Sequence, residues 1–211
     1  PERAPGVRPG WGRFYVEAKT RAVLAGRSGL GESVRYLVDL PLDARGKPPK
    51  VKKQAFLVFG RAVAGRPGEL QLAAPDSQIA WTAVTEARAR GIVAEMAAAG
   101  APVRVTGIRE AIFVPGNLRG EGETQIFFNT VNDSAAMITV THRPDAKPVW
   151  GVTFSEVSEA GQAVPPRDTL AWYRLACGLP AFLPKAANLS QTAEDQRQAE
   201  IDYRMVMTQL G

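Results

Sequence analysis

The sequence predicts an α+β protein in which a mainly antiparallel sheet packs against one long helix, residues 79–99. The sheet can be flat or can curl into a partial barrel. Short segments that alternate between apolar and polar residues lie on both sides of this helix, and such alternation is typical of strands. Residues 79–99 instead repeat small and apolar side chains at helical spacing. Two further helical segments follow at residues 161–211 and are expected to close an end or an edge of the sheet.

The first group of strands precedes the long helix. Residues 11–26 hold one or two strands, residues 33–43 alternate cleanly, and residues 69–74 form a short strand. Residues 55–59 are apolar at every position, which predicts a central strand buried on both faces. The connection at 44–50 contains two consecutive prolines and is therefore predicted to be an exposed turn.

The long helix is predicted from its ends and its small-residue face. Asp76 or Ser77 can cap its N-terminus, and Gly100 can adopt the left-handed conformation that ends a helix. Gly91 costs the helix about 1 kcal/mol relative to alanine. Close packing of this face against the sheet is the expected reason for that glycine. The other members of the face are Ala80, Val84, Ala87, Ala94 and Ala98.

The segments after the helix predict an antiparallel meander, because strand patterns at 101–114, 124–130, 136–143 and 149–157 are joined by short turns. The connection between the first two of these is predicted to be a longer loop of roughly eight to ten residues, above the two to five of a tight hairpin.

The C-terminal region predicts two helices. The first is short and apolar nearly all round, so it is expected to be buried, with Asp168 as its N-cap and Cys177 inside it as an unreactive small side chain. The second is capped by Ser190 or Thr192, and Thr192 with Asp195 resembles a capping box.

The domain organisation predicted from these segments has three parts. Residues 1–10 are rich in proline and glycine and read as a flexible lead. Residues 11–160 form the α+β domain, and residues 161–211 form a helical extension that packs on it. The opening at Pro1 fits a spacer after a cleaved export signal and equally an arbitrary boundary, so periplasmic, secreted and cytoplasmic locations all stay open. The abundance of arginine, alanine, glycine and proline is typical of bacterial proteins from GC-rich genomes.

The composition excludes several kinds of site. The chain has 211 residues but one cysteine and one histidine, so an intramolecular disulfide and any site that needs two histidines are impossible. The longest apolar runs fall far short of the about 20 residues of a membrane-spanning helix. Gly26–Ser33 contains three glycines without the Gly-Lys-Ser/Thr of a phosphate loop, so no nucleotide cofactor is predicted, and no metal ligand set is recognised either.

Candidate ligand-binding residues cluster in and near the predicted 116–123 loop. Glu121 and Glu123 are paired carboxylates, which can divide acid and base roles. Asn117 and Arg119 add polar groups beside them, and His142, at the end of a strand, is the one imidazole available as a general base. A solvated connection is the favoured interpretation of the loop, because catalytic carboxylate pairs typically come from separated elements that flank a cleft. No complete catalytic set is recognised, and no catalytic residue is assigned.

A second candidate site is an anion-binding cluster in the 44–53 region, made of Lys47, Lys50, Lys52 and Lys53. The chain as a whole has a formal net charge of +5, which favours an anionic partner.

The function predicted first is that of a non-enzymatic binding or assembly protein, because no catalytic constellation is complete. One alternative is an oligonucleotide-binding module, since aromatic residues in basic strands and a loosely OB-like strand order suit single-stranded nucleic acid. The other alternative is a hydrolase that uses Glu121, Glu123 or His142. The sequence leaves the partner open between an anionic ligand and another protein, and it leaves the oligomeric state open.

Overall fold

The computed structural model describes residues 6–26, 30–154 and 163–211. These residues contain ten β-strands and three α-helices. The predicted α+β class and the mainly antiparallel pairing are confirmed. The chain divides into two compact units, Pro1–Val93 and Ala94–Gly211. The strands are β1 (Trp11–Lys19), β2 (Ser33–Pro41), β3 (Phe56–Val58), β4 (Gly60–Ala62), β5 (Leu70–Leu72), β6 (Gln78–Ala80), β7 (Val105–Pro115), β8 (Gly122–Thr130), β9 (Met137–His142) and β10 (Val149–Thr153); the helices are α1 (Ala83–Ala97), α2 (Leu170–Ala176) and α3 (Ala193–Leu210), with a short 3₁₀ turn at Lys185–Ala187.

The first unit is built on an antiparallel ribbon of β1 and β2, which pair along their whole length. Alternation places four apolar side chains of β2 on one buried face, and among the described residues of the unit these are the buried apolar ones: Val34, Tyr36, Val38 and Leu40. Half-buried residues of β1, β3 and β5 pack against them. The core of this unit is therefore small for its length.

Three-residue strands complete the first unit. β3 pairs with β6, and β4 pairs with β5. The prediction of a central, doubly buried strand at residues 55–59 is wrong, because β3 is short, half-buried and paired on one side. The described strands form four separate sheets and no closed barrel, so the suggested barrel is not confirmed.

The long helix is shorter than predicted and is exposed. Residues 78–80 form β6 instead of helix, and α1 begins only at Ala83. Thr82 is its N-cap, not Asp76 or Ser77, since the Thr82 hydroxyl accepts from the Thr85 amide at 3.0 Å. No residue of α1 is buried, and a Cβ placed on Gly91 would meet nothing within 4 Å. The expected close packing of the small-residue face is therefore wrong.

The second unit contains the predicted meander, a four-stranded antiparallel sheet in the order β10-β9-β8-β7. The β7–β8 loop spans residues 116–121 and is shorter than predicted, because the pairing extends to Pro115 opposite Gly122. One face of the sheet carries the buried apolar side chains of every strand, among them Ala111, Ile126, Ile138 and Trp150.

Helix α3, not α1, covers this apolar face. Its stripe of Ala199, Tyr203, Val206 and Leu210 is fully buried in the same core as the sheet. Thr192 is confirmed as the N-cap, because its hydroxyl accepts from the Asp195 amide; the Asp195 carboxylate accepts from this hydroxyl and not from the Thr192 amide, so the pair resembles a capping box only in part.

Helix α2 is capped differently from the prediction. Thr169 is its N-cap, while Asp168 has a positive φ of 66°. The helix is only partly buried, and Cys177, at its C-cap, is exposed instead of lying in an apolar interior. Gly178 follows, and a Cβ there would lie 2.5 Å from the Arg174 carbonyl oxygen and 2.6 Å from that of Val105, so the helix end and β7 approach too closely for a side chain.

The predicted domain ranges 1–10, 11–160 and 161–211 stay a prediction, since residues 1–5 and 155–162 lie outside the described ones. Within the described part of the chain, no helix combines the length and the apolar character needed to cross a membrane.

Candidate functional site

A buried polar network joins β8, β9 and α3 in the second unit, and His142 belongs to it. Its centre is Asp202, whose side chain is 1% exposed. Three donors converge on this carboxylate: the Thr124 hydroxyl, the Gln198 amide at 2.9 Å and the His142 ring. Buried charges are retained only when several partners stabilise them, and this carboxylate meets that condition. These four residues are called the His142 network below.

The position of His142 follows from the sheet register. His142 pairs with Gly122 on the core face, one step beyond the Thr124–Val140 pair, so its ring lies next to Thr124 and under α3. The ring of Phe113 lies edge-on to the imidazole, with 5.9 Å between centroids. Gly122 makes room for that ring, since a Cβ there would lie 2.5 Å from it.

The two ring nitrogens of His142 have different surroundings. Nε2 lies 3.0 and 2.9 Å from the two carboxylate oxygens of Asp202, so it carries a proton. Nδ1 makes no hydrogen bond to any described residue, and the side chain is 17% exposed. A neutral imidazole held this way presents its lone pair at Nδ1, which is the arrangement that a general base requires.

The paired glutamates do not join this network. Glu123 precedes Thr124 on β8 and therefore faces the opposite side of the sheet, where its carboxylate accepts from Gln125 at 2.6 Å. Glu121 folds back in the exposed loop and accepts from the Leu118 amide at 3.2 Å.

The remaining loop candidates are exposed. Asn117 and Arg119 lie at the loop surface, and neither side chain makes a hydrogen bond or ion pair with a described residue. Of the five predicted ligand-binding residues, His142 alone lies in a buried polar network; Asn117, Arg119 and Glu121 lie in the exposed loop, and Glu123 lies on β8 on the opposite face of the sheet. Whether they bind a ligand stays a prediction.

Asp202, Thr124 and Gln198 were not among the predicted residues. A signal for Asp202 exists in the sequence, because it stands on the same helical stripe as Ala199 and Val206, where an acidic residue requires partners. No comparable signal marks Thr124, which is an ordinary strand residue until the fold places it against α3.

The predicted anion-binding lysines lie on the connection between β2 and β3. Lys47, Lys50, Lys52 and Lys53 are all exposed, and none of them pairs with a carboxylate among the described residues. Asp43 shapes the start of this connection by accepting from the amides of Arg45 and Lys47.

A third feature, the free edge of β1, was not predicted. In the described residues β1 pairs with β2 alone. Two backbone hydrogen bonds flank the ribbon: the Leu42 amide donates to the Gly10 carbonyl oxygen, and the Thr20 amide donates to that of Glu32. In the register of β1 and β2, they show that the even-numbered residues of β1 form the hydrogen-bonded pairs with β2. Since such pairs alternate along antiparallel strands, odd-numbered residues of β1 direct their backbone groups away from β2.

The side chains next to this edge include an exposed apolar pair. Tyr15 and Leu37 face each other across the ribbon and are 62% and 53% exposed. The adjacent pair is ionic: Arg13 Nε donates to Asp39 Oδ1 at 2.8 Å, and the hydrogen bond and charge of this guanidinium lower the pKa of Asp39.

Among the described residues, no group of three or more His, Cys, Asp or Glu side chains is arranged to hold a metal ion. Comparison of the chain with models of protein families, with curated proteins and with solved structures finds no match.

Proposed function

We propose that the chain is a non-enzymatic assembly protein that pairs with a second copy of itself through the free edge of β1. The observation that supports this most directly is the row of outward-facing backbone groups on a nine-residue edge strand. The Tyr15 and Glu17 amides point to this side and have no partner among the described residues. An unpaired edge of this length is a template for strand addition.

The sequence of β1 is complementary to itself in the antiparallel sense. When Tyr15 lies on a twofold axis, Arg13 comes opposite Glu17 of the second copy and Trp11 comes opposite Lys19, although the Trp11 amide already donates to the Arg8 carbonyl oxygen at 3.1 Å. The paired positions are odd-numbered in both strands, as the outward backbone groups require. Opposite charges on facing strands favour this register over its neighbours, and a twofold contact of this kind closes on itself.

The apolar surface of the first unit supports the same conclusion. Two-stranded ribbons are marginally stable alone. Pairing across the twofold axis would extend the ribbon to four strands and would bring Tyr15 of one copy beside Tyr15 of the other, with Leu37 next to each. Further exposed apolar side chains in this unit are Phe59, Ile79, Trp81 and Val84.

Sedimentation velocity across a range of concentrations tests the proposal. We expect a dimer of the unmodified chain, and we expect Glu17→Arg to be monomeric because it places Arg13 opposite a second arginine. Glu32→Arg makes the same change of charge at an exposed position outside β1 and should leave the dimer intact. An unmodified chain that stays monomeric up to about 1 mM, a limit of roughly −4 kcal/mol in association free energy, rejects the proposal.

Amide hydrogen exchange locates the contact. The Tyr15 and Glu17 amides should exchange slowly at concentrations where the dimer forms and rapidly in the Glu17→Arg variant. A dimer in which these two amides still exchange rapidly would show that the contact lies elsewhere.

A hydrolase is a second candidate, and the observation that favours it is the free Nδ1 of His142 held by Asp202. In this function Nδ1 takes a proton from a water molecule while Asp202 stabilises the imidazolium that forms. A panel of ester and amide substrates, with His142→Gln as the comparison, tests it. Turnover that disappears in this variant supports the hydrolase, and turnover that is equal in both chains excludes His142.

Oligonucleotide binding is a third candidate, supported by the unpaired, exposed lysines at 47–53. The order of elements behind the OB-like comparison runs across both units and forms no closed barrel among the described strands, so this candidate depends on charge. Fluorescence anisotropy with a single-stranded oligonucleotide should show affinity that falls with salt and is lost on reversing Lys50, Lys52 and Lys53 to glutamate. Absence of binding at low salt rejects it.

A further inference from the structure

The second unit contains a cavity of about 270 Å³ between the start of β7 and the last turn of α2. It belongs neither to the His142 network nor to the β1 edge. The polar side chains that line it are Arg104, Thr106, Tyr173, Arg174 and Cys177.

Among the described lining residues, the charged side chains are two arginines. Arg104 is exposed, and its guanidinium makes no hydrogen bond or ion pair with a described residue. Arg174 is half-buried and is held from one side, since its Nε donates to the Pro102 carbonyl oxygen at 3.1 Å. Its two terminal nitrogens make no hydrogen bond with a described residue, so their donors are available to another partner.

One acidic residue, Asp168, is hydrogen-bonded to a residue of the cavity lining, Tyr173. Asp168 accepts from the Tyr173 hydroxyl at 3.2 Å, and no carboxylate of a described residue lines the cavity itself. Two guanidinium groups at one concave site, with no carboxylate among its described lining residues, concentrate positive potential there.

We propose that this cavity binds a small oxyanion, namely the phosphate or carboxylate group of a small molecule. Guanidinium groups are planar donors whose geometry matches both anions, and such bonds are stronger than neutral ones. The volume lies just below the usual pocket range of about 300–1,000 Å³ for drug-sized ligands, which favours an anion of few atoms over a polymer.

Cys177 supplies a local measurement, because it lines the cavity, is exposed and is the single cysteine of the chain. Alkylation by iodoacetate, which is an anion, is compared with alkylation by iodoacetamide, which is neutral. The rate with iodoacetate divided by the rate with iodoacetamide reports the electrostatic potential at the sulfur. The intrinsic reactivity of the thiol affects both rates equally and cancels in this ratio.

Two variants change the cavity and one serves as a control. We expect the rate ratio to fall about threefold in Arg104→Gln and in Arg174→Gln, since each loses one nearby positive charge. Arg109→Gln removes an arginine from the same strand outside the cavity, where it lies over Phe127, and should leave the ratio unchanged. Arg104 makes no contact that folding requires, so its variant keeps the test valid even if Arg174→Gln does not fold.

Inorganic phosphate and acetate, at equal ionic strength in chloride, then test occupancy. Protection of Cys177 from iodoacetamide by phosphate alone assigns the site to phosphate groups, and protection by both assigns it to oxyanions generally. Protection must disappear in Arg104→Gln. Unchanged rate ratios in both arginine variants, or equal alkylation with and without either anion, would overturn the proposal.

Discussion

Replacing Asp202 by alanine tests whether the His142 network holds the second unit together. The substitution removes the acceptor of three hydrogen bonds, from Thr124, Gln198 and His142, at a site that is almost fully buried. A polar group that loses its partner inside a protein costs about 1–3 kcal/mol.

The expected cost differs among the three donors. Thr124 is fully buried, so its hydroxyl has no water to replace the carboxylate. Gln198 and His142 are partly exposed and can be rehydrated in part. Adding the small cavity left behind, we expect the free energy of unfolding to fall by about 3–5 kcal/mol, the range measured when one partner of a buried charged pair is removed.

Urea unfolding followed by circular dichroism measures this change, and Glu200→Gln on the same helix is the matched control. Glu200 has no hydrogen-bond partner among the described residues, so its variant should lie within about 0.5 kcal/mol of the unmodified chain. A double-mutant cycle of Asp202→Asn with His142→Gln should give a coupling of at least about 0.5 kcal/mol.

The sign of the result also separates a structural from a catalytic network. Functional groups are often retained at a cost in stability, so their removal can stabilise a protein. If Asp202→Ala raised the free energy of unfolding, our account of the network as a stabilising element would be refuted, and the hydrolase candidate would gain support.

Three further substitutions have clear expected outcomes in thermal or urea unfolding. Gly91→Ala should stabilise the chain by up to about 1 kcal/mol, because the site is exposed, helical and empty around the new Cβ, and destabilisation would show that the face is covered. Gly178→Ala should destabilise it by about 1–3 kcal/mol, since the new methyl overlaps two carbonyl oxygens, and a neutral effect would contradict this close approach. Burial raises the pKa of Tyr203, so the folded phenol resists ionisation; stability should hold below the unfolded value near 10 and fall as the pH rises above it. Tyr203→Phe removes the hydrogen bond to the Pro180 carbonyl oxygen, so its free energy of unfolding should be about 1 kcal/mol lower at pH 7. Its stability should change less between pH 9 and 11 than that of the unmodified chain. An equally steep loss of stability in this variant would exclude Tyr203 as the cause.

The second unit could be predicted from the sequence because its patterns are local. β8 alternates between buried and more exposed residues over its whole length, and the strands that pair with it, β7 and β9, are its neighbours in the chain. The N-terminus of α3 is fixed by the hydrogen bond between Thr192 and Asp195, which are only three positions apart in the sequence. Such features depend on neighbouring residues, which is the information a sequence pattern contains.

The first unit was predicted less well because its contacts are not local. β6 became a strand by pairing with β3, more than twenty positions earlier, although its residues continue the helical spacing of α1. The alanines of α1 were interpreted as a packing face, yet alanine is also the best helix former on an exposed surface. Small residues at helical spacing cannot distinguish these two causes.

The same limit applied to the sites. His142 was identified by residue type, but its partner Asp202 lies 60 positions away, and only the packing of α3 on the sheet joins them. Arg104 and Arg174 are separated further and show no common pattern in the sequence. The β1 edge was missed for a different reason: it is defined by the absence of a pairing strand among the described residues, which no residue of β1 encodes.

The contrast between the two cores leads to a last prediction about stability. The described part of the first unit has four buried apolar residues, whereas the second unit has a continuous core from all four strands and α3. A partner that binds the folded form stabilises it in proportion to the logarithm of its concentration. If β1 pairs with a second copy, local opening of the first unit should therefore become rarer as the protein concentration rises. Amide exchange at Val38, which lies opposite β1, should slow with concentration, while exchange at Ile138 in the second unit should not. Equal slowing at both amides would mean that association stabilises the whole chain at once, and no change at Val38 would contradict pairing at β1.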